Sequence, residues 1–164
     1  MHEEMLQDLD THINNAVRDV FGTMLNYDLE PVAVTANTWT MNGEPHVAGC
    51  VGFTGELNGV VYIYASEVFA RRMASRLLGM DQKGVETDEM ICDTMGEIAN
   101  MVAGPIKSRL TDNGMSCVLT IPAIIRGSNF IVETVSSAER RFFAYRCSEG
   151  ELVTEVVIRN QDTR

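Results

Sequence analysis

Val47-Ala48-Gly49-Cys50-Val51-Gly52-Phe53 and Val60-Val61-Tyr62-Ile63-Tyr64, joined by Thr54-Gly55-Glu56-Leu57-Asn58-Gly59, decide the fold of this chain. β-Branched and aromatic residues dominate both runs, and the linker is rich in turn formers. Asn58-Gly59 and the extra Gly55 can supply the positive φ values of a tight reversal, so the two runs are expected to form a hairpin.

Downstream, Ser66 is placed to cap a helix through Val68, Phe69, Met73, Leu77 and Leu78 that stops at Gly79. A polar connection, Asp81 to Gly84, leads to Thr87-Asp88-Glu89, a plausible cap with two acids near the positive end of a second helix. Pro105 cannot donate to the carbonyl of Met101, so a kink or a stop is expected there. After Asp112-Asn113-Gly114, strands are expected at Met115–Ile121, Asn129–Val135, Arg141–Cys147 and Leu152–Ile158. Ser148-Glu149-Gly150 turns the last pair, and the tail Arg159–Arg164 is expected to fray.

Upstream, Met5, Leu9, Ile13, Val17, Val20, Phe21 and Met24 recur at helical spacing, which predicts one amphipathic helix over 5–25. Pro31 marks a break, and Val32–Met41 alternates at its start well enough for a strand, although Trp39 falls out of phase. Three helices among hairpin-linked strands predict an α+β fold: a mixed, mostly antiparallel sheet covered by about three helices. The chain, 1–164, is expected to form a single domain.

The bulk properties narrow the function. With 164 residues and 45% apolar content, the chain can bury a real core. Apolar runs such as Gly59–Ala65 and Cys117–Ile121 fall far short of the roughly 18 residues a membrane span needs. The acidic start Met1-His2-Glu3-Glu4 does not resemble a signal peptide, and the four cysteines are well separated without a C-x-x-C pair, so a reduced, cytoplasmic protein is expected. A formal net charge of −10, with no Lys/Arg cluster beyond Arg71-Arg72 and Arg140-Arg141, speaks against nucleic acid as a partner.

Several familiar chemistries fail on spacing. Asp8-Leu9-Asp10-Thr11 superficially matches an aspartyl-phosphatase signature, but Leu9 sits on the apolar stripe of a helix rather than after a buried strand. No cysteine has an arginine six residues on, as a thiol phosphatase would need. His2, His12 and His46 are too scattered for a metal triad, so no metal site is expected. The glycines of 49–55 lack a following Lys-Ser/Thr and fit turn and packing roles better than a phosphate loop.

The second helix offers something more specific. At about 100° per residue, Asp93, Glu97, Asn100 and Gly104 fall on one stripe, while Ile91, Met95, Ile98, Val102 and Ile106 cluster opposite. The helix should bury its back and present a carboxylate and an amide one turn apart. Polar residues on such a face usually just meet water. Here Gly96 beside the stripe and Gly104 on it each cost about 1 kcal/mol of helix stability relative to Ala, as if leaving room for another backbone.

Asp93-x-x-x-Glu97-x-x-Asn100, followed by Gly104, resembles the signature of the CheC/CheX/FliY chemotaxis phosphatases, D/S-x3-E-x2-N with a proline about 22 residues later. Pro122 follows Asn100 with 21 residues between, one fewer than that pattern. The first helix with Val20-Phe21-Gly22-Thr23-Met24-Leu25 and the hairpin Phe53–Gly59 also look like the CheX branch, so the resemblance covers most of the chain. Residues 1–25 contain no Glu-x-x-Asn, which fits the branch that carries one acid-amide motif rather than two.

The resemblance implies hydrolysis of the phosphoryl group on the aspartate of a phosphorylated CheY-type response regulator. It assigns Glu97 and Asn100 as the catalytic pair, with Asp93 and Gly104 in the partner-binding surface; since a net charge of −10 gives no bulk attraction to an acidic partner, Lys107, or Arg109 nearby, is expected to add a local partner contact. No cofactor is expected on this chain, and Mg²⁺ is expected on the regulator. The branch also implies a homodimer, formed through exchanged strands after residue 115. A competing expectation is a non-catalytic module that binds a regulator, like the related flagellar switch domains that lack the pair.

Overall fold

The computed structural model describes residues 2–33, 39–81, 87–135 and 137–159. Along the chain come α1 (His2–Met24), β1 (Glu30–Val32), β2 (Pro45–Gly55), β3 (Asn58–Ser66), α2 (Glu67–Leu78), α3 (Asp88–Asp112), β4 (Cys117–Leu119), β5 (Ala123–Ser128), β6 (Glu139–Cys147) and β7 (Gly150–Arg159). The strands form one seven-stranded sheet in the order β1-β6-β7-β3-β2-β4, with β5 also on β2. Every pairing among the described residues is antiparallel, and with three helices this is the expected α+β architecture.

The hairpin forms as expected, with β2 and β3 in register from His46 opposite Ser66 to Phe53 opposite Gly59. Its reversal is shorter than the sequence suggested. Only Glu56 and Leu57 separate the strands, and Asn58-Gly59 already belongs to β3. Asn58 Oδ1 accepts from the Gly55 amide at 3.2 Å. Gly59 is required for packing: a Cβ there would lie 2.2 Å from both Phe53 Cζ and the Val157 carbonyl oxygen.

The helices share one face of the sheet. Leu9, Ile13, Val17 and Phe21 of α1, Phe69 and Met73 of α2, and Ile91, Met95, Ile98, Val102 and Ile106 of α3 bury against Val47, Val51, Val61, Ile63, Leu152 and Val156. On the other face Ala48, Cys50, Tyr64 and Val153 form a second cluster with Met41, Trp39, Phe130 and Val132. Sheet residues alternate between the two clusters, as the period of two demands. α3 lies so close over β2 that a Cβ on Gly49 would sit 2.6 Å from the Met95 carbonyl oxygen.

Ionic links fasten α1 and α2 to this frame. Arg109 of α3 donates twice to Asp8 Oδ2, at 3.0 and 2.7 Å, and Arg141 of β6 pairs with Asp10. The Asp-x-Asp of α1 therefore ties the helix down, in keeping with the rejection of aspartyl chemistry. Glu149, in the β6–β7 turn, accepts from the Tyr27 hydroxyl and from Arg76 Nη2 at 3.0 Å. Arg76 Nη1 also donates to the carbonyls of Leu25 and Asn26, past the end of α1.

Several expected boundaries change. Residues 129–135 are not a strand: β5 lies earlier, and Asn129, in the left-handed region at φ 57°, ends it. The strand over 115–121 shortens to Cys117–Leu119. Pro31 stands within β1 rather than before a strand; β1 is an edge strand, where a missing N–H is tolerated. The remainder of Val32–Met41 is not strand where described, and 34–38 lie outside the described residues.

α3 does not stop at Pro105 but runs on to Asp112. Pro105 is exposed, and packing of Val102, Ala103, Ile106 and Leu110 outweighs the lost bond to Met101. Met24, Val68 and Leu78, placed on apolar faces by their spacing, are 51%, 63% and 47% exposed. All four cysteines are free. Arg159, expected to fray, closes β7 opposite Asn58, and the residues beyond it lie outside the described ones.

Two measurements check this frame. Gly49→Ala should lower stability by about 1–3 kcal/mol in urea unfolding, because the added methyl meets the α3 backbone. The hydrogen bond from Tyr27, with the hydrogen bond and charge of Arg76, holds the Glu149 carboxyl below its ordinary value of 4.5. Its contribution is therefore present above that value and lost as pH falls through the lower folded one. Across that acid range the urea midpoint should fall more steeply for the parent than for Glu149→Gln.

Candidate functional site

α3 is built to hold one face still. Thr87, extended at φ −116° and ψ 146°, caps it by accepting from the Met90 amide at 3.2 Å, and Asp88 and Glu89 occupy the first turn, where the helix dipole favours acids. Ile91, Met95, Ile98 and Val102 are fully buried against the sheet and the other helices. Asp93, Glu97 and Asn100 are consequently exposed, while Gly104 and Lys107 are half-buried on the same stripe. The expected back and front of the helix are both observed.

Glu97 and Asn100 are three residues apart, a rise of roughly 4.5 Å along the axis. Among the described residues neither makes a hydrogen bond or an ion pair, and the same holds for Asp93 and Lys107.

The two glycines differ. A Cβ on Gly96 would meet Pro122 Cβ at 3.5 Å and Ile124 Cδ1 at 3.8 Å, ordinary contact distances. The space beside Gly96 is thus filled by the chain's own Pro122, not left for another backbone. Around Gly104 a Cβ would find nothing within 4 Å, so that opening faces outward.

Pro122 reaches Gly96 because the edge beside β2 is interrupted between β4 and β5. There Thr120 accepts from the Gly52 amide through Oγ1 at 2.9 Å and donates its own amide to the Gly52 carbonyl at 2.8 Å. This double link fixes the break and seats the proline next to the stripe.

Sequence reasoning missed Arg126. From β5 it bridges Glu67 at 2.9 Å and Asp88 at 3.1 Å, joining the first turns of α2 and α3. The guanidinium holds the Asp88 carboxyl below the usual carboxylate range. Only the register of β5 on β2 brings these residues together, so no local spacing could reveal them. Arg109, expected beside Lys107 as a partner contact, is instead committed to Asp8.

Other chemistries find little support. Burial pushes the Cys50 thiol up to about 11 and raises that of Cys117, which disfavours thiolate. Among the described residues no three His, Cys, Asp or Glu gather where they could hold a metal ion. Among the described residues no helix is long and apolar enough to cross a membrane. A cavity of about 360 Å³ lies on the second face of the sheet, walled by Trp39, Tyr64, Phe130 and Phe142 with Arg140 at its side, and contains none of the stripe.

Comparison with known proteins agrees with the fold. The chain is 25% identical over 124 residues to the CheY-P phosphatase CheX of Thermotoga maritima, covering 74% of this chain and 75% of that protein. A CheC-like superfamily protein from Shewanella sp. PV-4 superposes with a TM-score of 0.79 at 24% identity, covering 93% of this chain and 98% of the other. A chain from the CheX–CheY–BeF3–Mg²⁺ complex of Borrelia burgdorferi superposes with a TM-score of 0.71 at 22% identity, covering 92% and 97%. The family model for chemotaxis phosphatase CheX matches residues 47–146, which include the whole of α3 and the Pro122 break, and the chain belongs to that family.

Proposed function

We propose that this protein hydrolyses the aspartyl phosphate of a CheY-type response regulator by inserting the α3 stripe into the regulator's site. One observation carries the reading: Glu97 and Asn100 stand exposed and unpartnered, a turn apart on a rigidly packed helix, in a member of the CheX family.

The chemistry asks little of the phosphatase. An acyl phosphate is already activated, so the main requirement is a water held in line with the scissile P–O bond. Mg²⁺ and a lysine on the regulator supply the charge that holds the phosphoryl oxygens. The Asn100 amide both accepts and donates, so it can orient the water without placing another negative charge beside the phosphate. As the water oxygen bonds to phosphorus, the bond to the acyl oxygen breaks, releasing the regulator's carboxylate and inorganic phosphate.

A carboxylate would repel the phosphoryl group, so Glu97 pairs with the regulator's lysine and docks the helix. Asp93, Gly104 and Lys107 complete the contact surface. A homodimer belongs to the same reading, with the two ends of the sheet, β1 and the β4–β5 side, as edges for a second copy; sedimentation velocity checks it.

Asn100→Ala should slow phosphate release from a phosphorylated regulator by at least ~10²-fold while melting like the parent. Binding without any shortening of the phosphate lifetime by the parent would select a non-catalytic module instead. At Gly104 stability and activity should separate. Gly104→Ala gains about 0.5–1 kcal/mol of helix stability in thermal melts. Gly104→Trp also folds, its side chain meeting open space, yet loses most of the phosphatase activity because the partner can no longer approach.

A further inference from the structure

Beyond Asn100 the stripe runs into an open groove of about 820 Å³ between α3, β4 and α1, with Gly104 and Lys107 on one side and Leu119 and His12 among its walls. We propose that this groove is the second docking point of the phosphorylated partner, taking an acidic segment whose carboxylate pairs with Lys107. The inference rests on the function proposed above, and it names the chemistry by which a regulator is chosen.

Charge selects the occupant. The chain carries a formal net charge of −10, and the stripe itself presents Asp93 and Glu97 at its leading end. Lys107 lies seven residues past Asn100, two turns along the same face and about 10 Å away. The other cation in the groove, Arg109, is neutralised by Asp8 at 2.7 Å, and His12 leans on the same carboxylate at 3.5 Å. Asp112 also borders the groove, but it projects about 140° around the helix from Lys107, so an entering acid is steered to the β4 side.

The stripe is therefore polar end to end: acids first, a neutral amide in the middle, an open glycine, then a cation. A partner fits in one orientation only, with its basic group at Glu97 and an acidic one at Lys107. The groove is continuous with the catalytic stripe because Gly104 belongs to both. Nothing inside the protein fills the space over Gly104 or pairs with Lys107, among the described residues.

The test uses the full chain and a panel of CheY-type regulators, measured two ways: steady-state phosphate release, and titration against regulators loaded with beryllofluoride and Mg²⁺. Lys107→Glu should raise KM and the titrated Kd at least ~10-fold with kcat held, since it sets like charges against each other. Lys107→Ala should flatten the salt dependence of binding. An acid-to-lysine change on the regulator should restore Lys107→Glu. An unchanged Kd in Lys107→Glu, or a fall in kcat at constant KM, overturns the proposal while leaving the phosphatase reading intact. Weaker binding by Lys107→Glu to a regulator whose phosphate lifetime the parent does not shorten retains the groove and rejects the phosphatase reading. Conversion of a dimer to a monomer by Lys107→Glu in sedimentation would assign the groove to a second copy of this chain and overturn the proposal.

Discussion

The close seating of α3 on β2 is the contact on which the rest depends. At Gly49 the helix backbone comes within 2.6 Å of where a side chain would begin, so the helix rests on the sheet's own main chain. That depth lets Ile91, Met95, Ile98 and Val102 bury completely and leaves the opposite edge of the helix standing in solvent. Burial of this kind is worth about 1.5–3 kcal/mol per large aliphatic side chain, more than enough to carry the helix through Gly96, Gly104 and Pro105.

Once α3 is seated, polar links set its rotation and pitch. Arg126 gathers the first turns of α2 and α3, Arg109 fastens its last turns to α1, and Pro122 leans on Gly96 from the break between β4 and β5. Partly exposed ion pairs contribute little stability singly. Their importance lies in geometry, because they fix how α3 sits on the sheet and so where its exposed stripe stands.

Much of this was legible in the residues. Period-two runs flanking Glu56-Leu57 gave the hairpin, and a clean 3.6-residue pattern separated the buried and exposed faces of α3. The acid-amide spacing pointed to the stripe without any knowledge of the fold. What escaped notice was non-local: Arg126 with Glu67 and Asp88, Pro122 against Gly96, and Arg109 diverted to Asp8. The apparent strand at 129–135 failed because apolar content alone cannot distinguish pairing from covering; past Asn129, Phe130 and Val132 pack over the second face of the sheet while Ile131 and Val135 stay exposed. Val68 and Leu78 show the same weakness, since a stripe has edges that periodicity alone does not resolve.

The exposed stripe has a consequence for selectivity toward metabolites. Asp93, Glu97 and Asn100 stand on a convex helix rather than at the bottom of a cleft, so they enclose no volume in which a small molecule could be held and stripped of water. On the mechanism proposed above, the concave half of the site arrives with the substrate. On that mechanism, free acyl phosphates in the surrounding solution are poor targets, and the protein can be abundant without draining that pool. Its selectivity is then a matter of macromolecular fit rather than of bond chemistry.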